Sequence, residues 1–146
     1  MSEKKFIYVT YIRATPEKIW EALTTPETQR RFWYGIHQES EWTPGASWTM
    51  YMGDGRIADA GEILEAERPR KLVIKWRNEF RPELKAEGFS RCTYEIVAQG
   101  EMTKLTVLHE SPGQAFIDAV SQGWPMILSS LKTLLETGEG LSRGEK

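Results

Sequence analysis

An α+β domain, with an antiparallel sheet curved around one long C-terminal helix, is the fold class this chain predicts. Two observations carry it. The first is a helix signal from Gly113 to Thr137, where Phe116, Val120, Trp124, Ile127, Leu128, Leu131, Leu134 and Leu135 line up on one apolar face. At 1.5 Å per residue that face is about 37 Å long. The second is a run of strand-like segments ahead of it, joined by short turn sequences, which implies an antiparallel meander. A long one-sided helix needs a sheet to lie on, and a curved sheet leaves space between the layers for a small molecule.

The elements follow in order. Lys5 to Arg13 is rich in aromatic and β-branched residues and reads as the first strand. Ala14-Thr15-Pro16-Glu17 opens a helix, with Thr15 as N-cap, Pro16 at the first helical position and Glu17 in the first turn. Ile19, Trp20 and Leu23 supply its apolar face. Thr25-Pro26-Glu27 repeats the signal for a second short helix towards Phe32 and Trp33, giving a V-shaped pair. The next candidate strands are His37–Trp42, Ala46–Met52, Arg56–Glu67, Lys71–Arg77, Phe89–Ala98 and Thr103–Glu110. Pro44-Gly45, Gly53-Asp54-Gly55, Arg68-Pro69-Arg70 and Gln99-Gly100-Glu101 are turn compositions between them. The charged segment Asn78–Gly88, interrupted by Pro82, is expected to be a longer, mobile loop.

Alternation sets the inner face. Trp48, Met50 and Met52 share one side, as do Leu72, Ile74 and Trp76, then Cys92, Tyr94 and Ile96, then Leu105, Val107 and His109. In the last helix Pro125 has no N–H for the carbonyl of Ser121, so a kink or a change of segment is expected there. Phe116 to Val120 could then act as a gate with Trp124 at its pivot. One domain is expected over residues 1–140, with 141–146 a flexible tail.

Composition narrows the function classes. The 146 residues carry 19 Lys+Arg against 21 Asp+Glu, interspersed, so there is no basic stripe for a nucleic-acid backbone. The single cysteine, Cys92, allows no internal disulfide and fits a reducing cytoplasm; it reads as a small apolar core residue. No signal-peptide pattern opens the chain, and no apolar run approaches the roughly 20 residues of a membrane span, so membrane insertion is not expected. No His or Cys pair has metal-ligand spacing, and Gly53-Asp54-Gly55 lacks the helix and Lys-Ser/Thr of a phosphate loop. Neither metal nor other cofactor is expected. Arg68, Arg70 and Lys71 read as a solvated turn, and no catalytic residue is assigned, Glu79, Glu83 and Glu87 reading as solvated loop charges.

Six tryptophans among 146 residues give both a core of large rings and material for an aromatic-walled cavity. The expected lining is Trp33, Trp48, Met50, Trp76, Tyr94, His109, Phe116, Val120 and Trp124. His109 is either a polar contact for a ligand or a hydrogen-bonded histidine at a strand end.

Ala14-Thr15-Pro16-Glu17-Lys18-Ile19-Trp20-Glu21-Ala22-Leu23, Gly61-Glu62-Ile63-Leu64-Glu65 with Pro69-Arg70-Lys71-Leu72, and Gly123-Trp124-Pro125 before Leu128-Ser129-Ser130-Leu131-Lys132 together cover nearly the whole chain. In these segments the chain resembles the START-like (SRPBCC) helix-grip superfamily, in its bacterial branch related to the heat-shock-protein-90 ATPase activator. The resemblance implies a helix-grip fold on which lipid carriers, cyclases and stress proteins are all built. The eukaryotic activator has an added N-terminal chaperone-binding domain, whereas this chain opens on the first strand of the grip. Three readings follow. One is a carrier or sensor of a small hydrophobic or amphipathic molecule, lipid-like or polycyclic aromatic. Another is a stress-response or chaperone-accessory protein acting through its surface, and the last a cyclase-like enzyme. A monomer or weak homodimer is expected, with Trp42 or a strand edge as the contact.

Overall fold

Every chain segment that alternates or repeats at helical spacing becomes a regular element in the computed structural model, which describes residues 4–141. The elements are β1 (Lys4–Ile12), α1 (Pro16–Thr24), α2 (Pro26–Phe32), β2 (His37–Ser40), β3 (Ser47–Tyr51), β4 (Ile57–Glu67), β5 (Lys71–Asn78), α3 (Pro82–Lys85), β6 (Ser90–Gln99), β7 (Met102–Ser111) and α4 (Gln114–Thr137). The seven strands form one curved antiparallel sheet in the order β1-β7-β6-β5-β4-β3-β2. Strands β2 to β7 are joined as consecutive neighbours, and β1 closes against β7. The two short helices α1 and α2 therefore carry the chain from one sheet edge to the other.

Local chemistry explains the element starts. The Thr15 hydroxyl accepts from the Lys18 N–H at 3.2 Å and caps α1, with Pro16 next in line. Thr25 makes no side-chain cap bond, so α2 begins on the fixed φ of Pro26 instead. The left-handed Gly138 (φ 94°) ends α4, its N–H donating to the Leu134 carbonyl.

The inner-face residues of β3, β5, β6 and β7 are buried, from Trp48 and Met50 through to Val107 and His109. Met52 is a departure: it falls past the end of β3 and is only half-buried. Trp42, expected as a surface contact, is half-buried against the core. Gly61 faces Trp48 on one neighbouring strand and Trp76 on the other. A Cβ there would meet the Lys75 carbonyl oxygen at 1.7 Å. With no side chain between them, the two indoles close across β4 to a centroid separation of 4.6 Å.

Helix α4 runs unbroken through Pro125, so the expected change of segment does not occur. Its C-terminal half is anchored by Leu128, Leu131 and Leu134, all buried. Polar contacts add to this: Lys132 donates to the Tyr11 carbonyl, Glu136 accepts the Arg13 N–H at 2.8 Å, and Arg31 donates to the Gly138 carbonyl at 2.8 Å. Leu141, expected at the start of a loose tail, has its N–H held by Ser130 Oγ at 3.0 Å; residues 142–146 lie outside the described residues.

The segment after β5 differs most from expectation. In place of an open loop it holds the single-turn helix α3, with Leu84 buried. Asn78 Oδ1 starts the turn by accepting the N–H groups of Phe80 (3.0 Å) and Arg81 (2.7 Å). Among the described residues no helix is long and apolar enough to cross a membrane, and no cluster of three or more His, Cys, Asp or Glu could hold a metal ion.

Candidate functional site

A cavity of about 360 Å³ lies where the N-terminal half of α4 crosses β3, β4 and β5. Its walls come from the end of α2 (Trp33) and Ile36, from Met50, Ala58, Asp59, Trp76 and Asn78 on the sheet, and from Phe116, Ala119, Val120, Gly123, Trp124 and Ile127 on α4. Arg81 and Leu84 close one side from the α3 segment.

Of the expected lining, the structure places Trp33, Met50, Trp76, Phe116, Val120 and Trp124 on this wall. Trp33, Trp76 and Trp124 pack on each other, with ring centroids 6.5, 5.5 and 6.0 Å apart. Trp48, Tyr94 and His109 are brought into the same aromatic cluster but lie behind the wall, fully buried. Trp48 packs against Trp76 and is not on the cavity wall, and its Nε1 donates to Gln38 Oε1 at 2.8 Å.

His109 is committed elsewhere as well. Trp124 Nε1 donates to its Nδ1 at 3.1 Å, which leaves the proton on Nε2 to be donated to Ser90 Oγ at 3.0 Å. Ser90 in turn donates to the Trp76 carbonyl at 3.0 Å. Burial holds the imidazole neutral, its pKa lowered from 6.5 to about 3. This chain of donors ties the middle of α4, through Trp124, to β7, β6 and β5. The Cys92 thiol, 0 % exposed, has its pKa raised by burial and is an inert core group.

Sequence reasoning missed the polar end of the cavity. Opposite Met50 stands Asp59, and the pairing then jumps from Tyr51 to Ile57, leaving Ala58 as the extra residue of a β-bulge. Both Ala58 and Asp59 face the cavity. Asp59 is 7 % exposed; its Oδ2 accepts from Trp76 Nε1 at 2.7 Å and, weakly, from Asn78 Nδ2 at 3.4 Å. Burial raises its pKa from 3.8 to about 6, against the lowering effect of those two donors and with a contribution from nearby Glu79. Glu79 is itself paired with Arg77 and Lys85. The signal for Asp59 was present as its phase with Gly61 and Ile63, but only the register across β3 and β5 sets it beside Met50 and Asn78.

Glu87 was also read as a solvated charge, and it caps α4. Its carboxylate accepts the N–H of Phe116 at 3.0 Å and of Ala115 at 3.2 Å, where Gly113 offers no side chain. A Cβ on Gly113 would stand 2.1 Å from that carboxylate, so the glycine makes room for the cap.

A sheet that grips one long helix over an aromatic cavity defines a START-like helix-grip protein. More narrowly, residues 13–136 match the family described as activator of Hsp90 ATPase homolog 1-like protein, and the chain belongs to that family. CalU16 from Micromonospora echinospora is 23% identical, with a TM-score of 0.78 over 99% of this chain and 72% of that one. An HSP90 activator from Plasmodium falciparum is 22% identical, with a TM-score of 0.73 over 90% and 96%. The Aha1 dimer from Colwellia psychrerythraea is 18% identical, again with a TM-score of 0.73, over 94% and 99%. At these identities the likeness establishes the fold. No curated protein matches the sequence.

Proposed function

We propose that the protein binds a small apolar or amphipathic molecule between the sheet and the N-terminal half of α4, as a carrier or sensor. The observation that carries this reading is the cavity itself, walled by Trp33, Trp76, Trp124 and Phe116 with one buried carboxylate at its polar end. Few convergent polar groups in an aromatic cleft are the usual make-up of a small-molecule site. At about 360 Å³ the space stands at the small end of ligand pockets, which run from roughly 300 to 1,000 Å³. That favours a compact ring system over a long acyl chain or an extended polycycle.

The test is a titration followed by NMR shifts of the indole N–H groups. Saturable shifts at Trp33, Trp76 and Trp124, weakened in a folded Trp76→Ala variant, are expected. Silence of all three indoles across compact aromatic probes refutes the reading.

A second reading, an interaction protein, draws on the outer face of β1. Ile7, Val9 and Tyr11 are exposed there, Ile7 at 58 %, on a strand at the sheet edge. The neighbours named as an HSP90 activator and as a dimer make a chaperone or a second copy the partners to test. Sedimentation of the wild type beside Ile7→Lys decides whether that face self-associates.

A further inference from the structure

The cavity's single carboxylate is only half used. Asp59 Oδ2 holds Trp76 and Asn78, whereas Oδ1 has no hydrogen-bond partner among the described residues. Nor is Oδ1 sealed away, since the one buried polar side-chain atom without a partner among the described residues is Gln38 Nε2. Among the described residues no cation pairs with Asp59. Arg81, on the cavity rim, is bound to Glu83, and Arg77 and Lys85 are bound to Glu79. An ionised carboxylate in a site 7 % exposed, without a counter-charge, is an unfavourable arrangement unless something else supplies the charge.

The surroundings say what would supply it. Three indole rings wall the same space, and Trp76 both faces the cavity and donates to Asp59. Indole faces attract cations, most strongly where water is excluded. A charged N–H donor to a carboxylate makes one of the stronger hydrogen bonds available. A neutral hydrocarbon leaves Oδ1 unpaired, and an anion is repelled by it.

We propose that the cavity selects an organic ammonium: a compact apolar body bearing a protonated amine, its N–H donating to Asp59 Oδ1 and its body lying against Trp33, Trp76 and Trp124. The inference rests on the cavity being a ligand site, and it adds the chemical class of the ligand.

The test compares four probes of nearly equal size at neutral pH: naphthylmethylamine, naphthylmethanol, ethylnaphthalene and naphthoate. Affinities are read by calorimetry and by tryptophan fluorescence. The amine is expected to bind about tenfold or more tightly than ethylnaphthalene, with the alcohol between them and naphthoate weakest. Asp59→Asn keeps an oxygen for Trp76 but removes the charge, and the ratio of amine to hydrocarbon affinity should fall towards one. Equal affinity of amine and hydrocarbon in the wild type overturns the proposal, as does tighter binding of naphthoate. So does an amine preference that survives in a folded Asp59→Asn variant. The wild-type series stands alone if the variant does not fold. If ethylnaphthalene binds without an amine preference, only the ammonium inference falls; if none of the four binds, the cavity reading falls with it.

Discussion

Replacing Asp59 with asparagine should stabilise the protein at neutral pH, and the gain should vanish in acid. The carboxyl titrates at about 6 when folded against 3.8 when free, because burial outweighs the bonds from Trp76 and Asn78. A carboxylic acid raised in this way binds its proton more tightly in the folded state. Its favourable contribution is therefore complete below pH 3.8 and is lost as pH rises through about 6. At 1.36 kcal/mol per pH unit the loss amounts to about 3 kcal/mol above pH 7. Asparagine has the shape but no charge to desolvate, so it escapes that cost. Urea unfolding of both proteins between pH 3.5 and 8 gives the difference directly, and the contributions of groups common to both cancel. Among these is His109, whose lowered pKa acts with the opposite sign: its share of stability is full above 6.5 and is lost as pH falls towards about 3. The expected difference curve rises by about 3 kcal/mol from acid to neutral pH. A flat curve, with both proteins folded throughout, would show that Asp59 is well solvated and that the argument from its burial is mistaken.

Three further outcomes follow from the geometry. Glu87→Ala removes both acceptors at the start of α4 and should cost about 1 kcal/mol; hydrogen exchange should speed up at Ala115 and Phe116 and not at Leu128 or Leu131. His109 should show one tautomer, protonated on Nε2, with no titration between pH 5 and 8 in its ring nitrogen shifts; a midpoint near 6.5 would break the Trp124–His109–Ser90 chain as described. Gly61→Ala drives a methyl into the Lys75 carbonyl and should destabilise by about 3 kcal/mol, read as a lowered urea midpoint; a loss below about 0.5 kcal/mol would mean the strands have room to part.

The sequence made the elements legible wherever one physical signal dominated. Thr15 and Pro16 marked a helix start, the spacing from Phe116 to Leu135 marked a buried helix face, and alternation in Leu72, Ile74 and Trp76 marked the inner side of a strand. Depth was less legible. Alternation puts Trp48, Tyr94 and His109 on the inner side, but whether an inward ring meets a cavity or another ring depends on partners two strands away, as for Trp48, or on α4, as for Tyr94 and His109. Asp59 stayed hidden because its phase with Gly61 and Ile63 gives only a side of the strand, and the register across β3 and β5 is what sets it beside Met50 and Asn78. Glu87 stayed hidden because a cap supplied from 28 residues earlier leaves no local motif at Gly113. The polarity in Asn78–Gly88 suggested solvent exposure, whereas Leu84 and Glu87, both in that segment, carry its structural role.

Leu84, which fills one side of the cavity, and Glu87, which holds the first turn of α4, are three residues apart on one short segment. Withdrawing the plug drags the clasp with it. Opening of that side is consequently a concerted event, in which two amide hydrogen bonds break as the leucine leaves. The rate at which that side opens then depends on the lifetime of those two bonds, which hydrogen exchange at Ala115 and Phe116 reads.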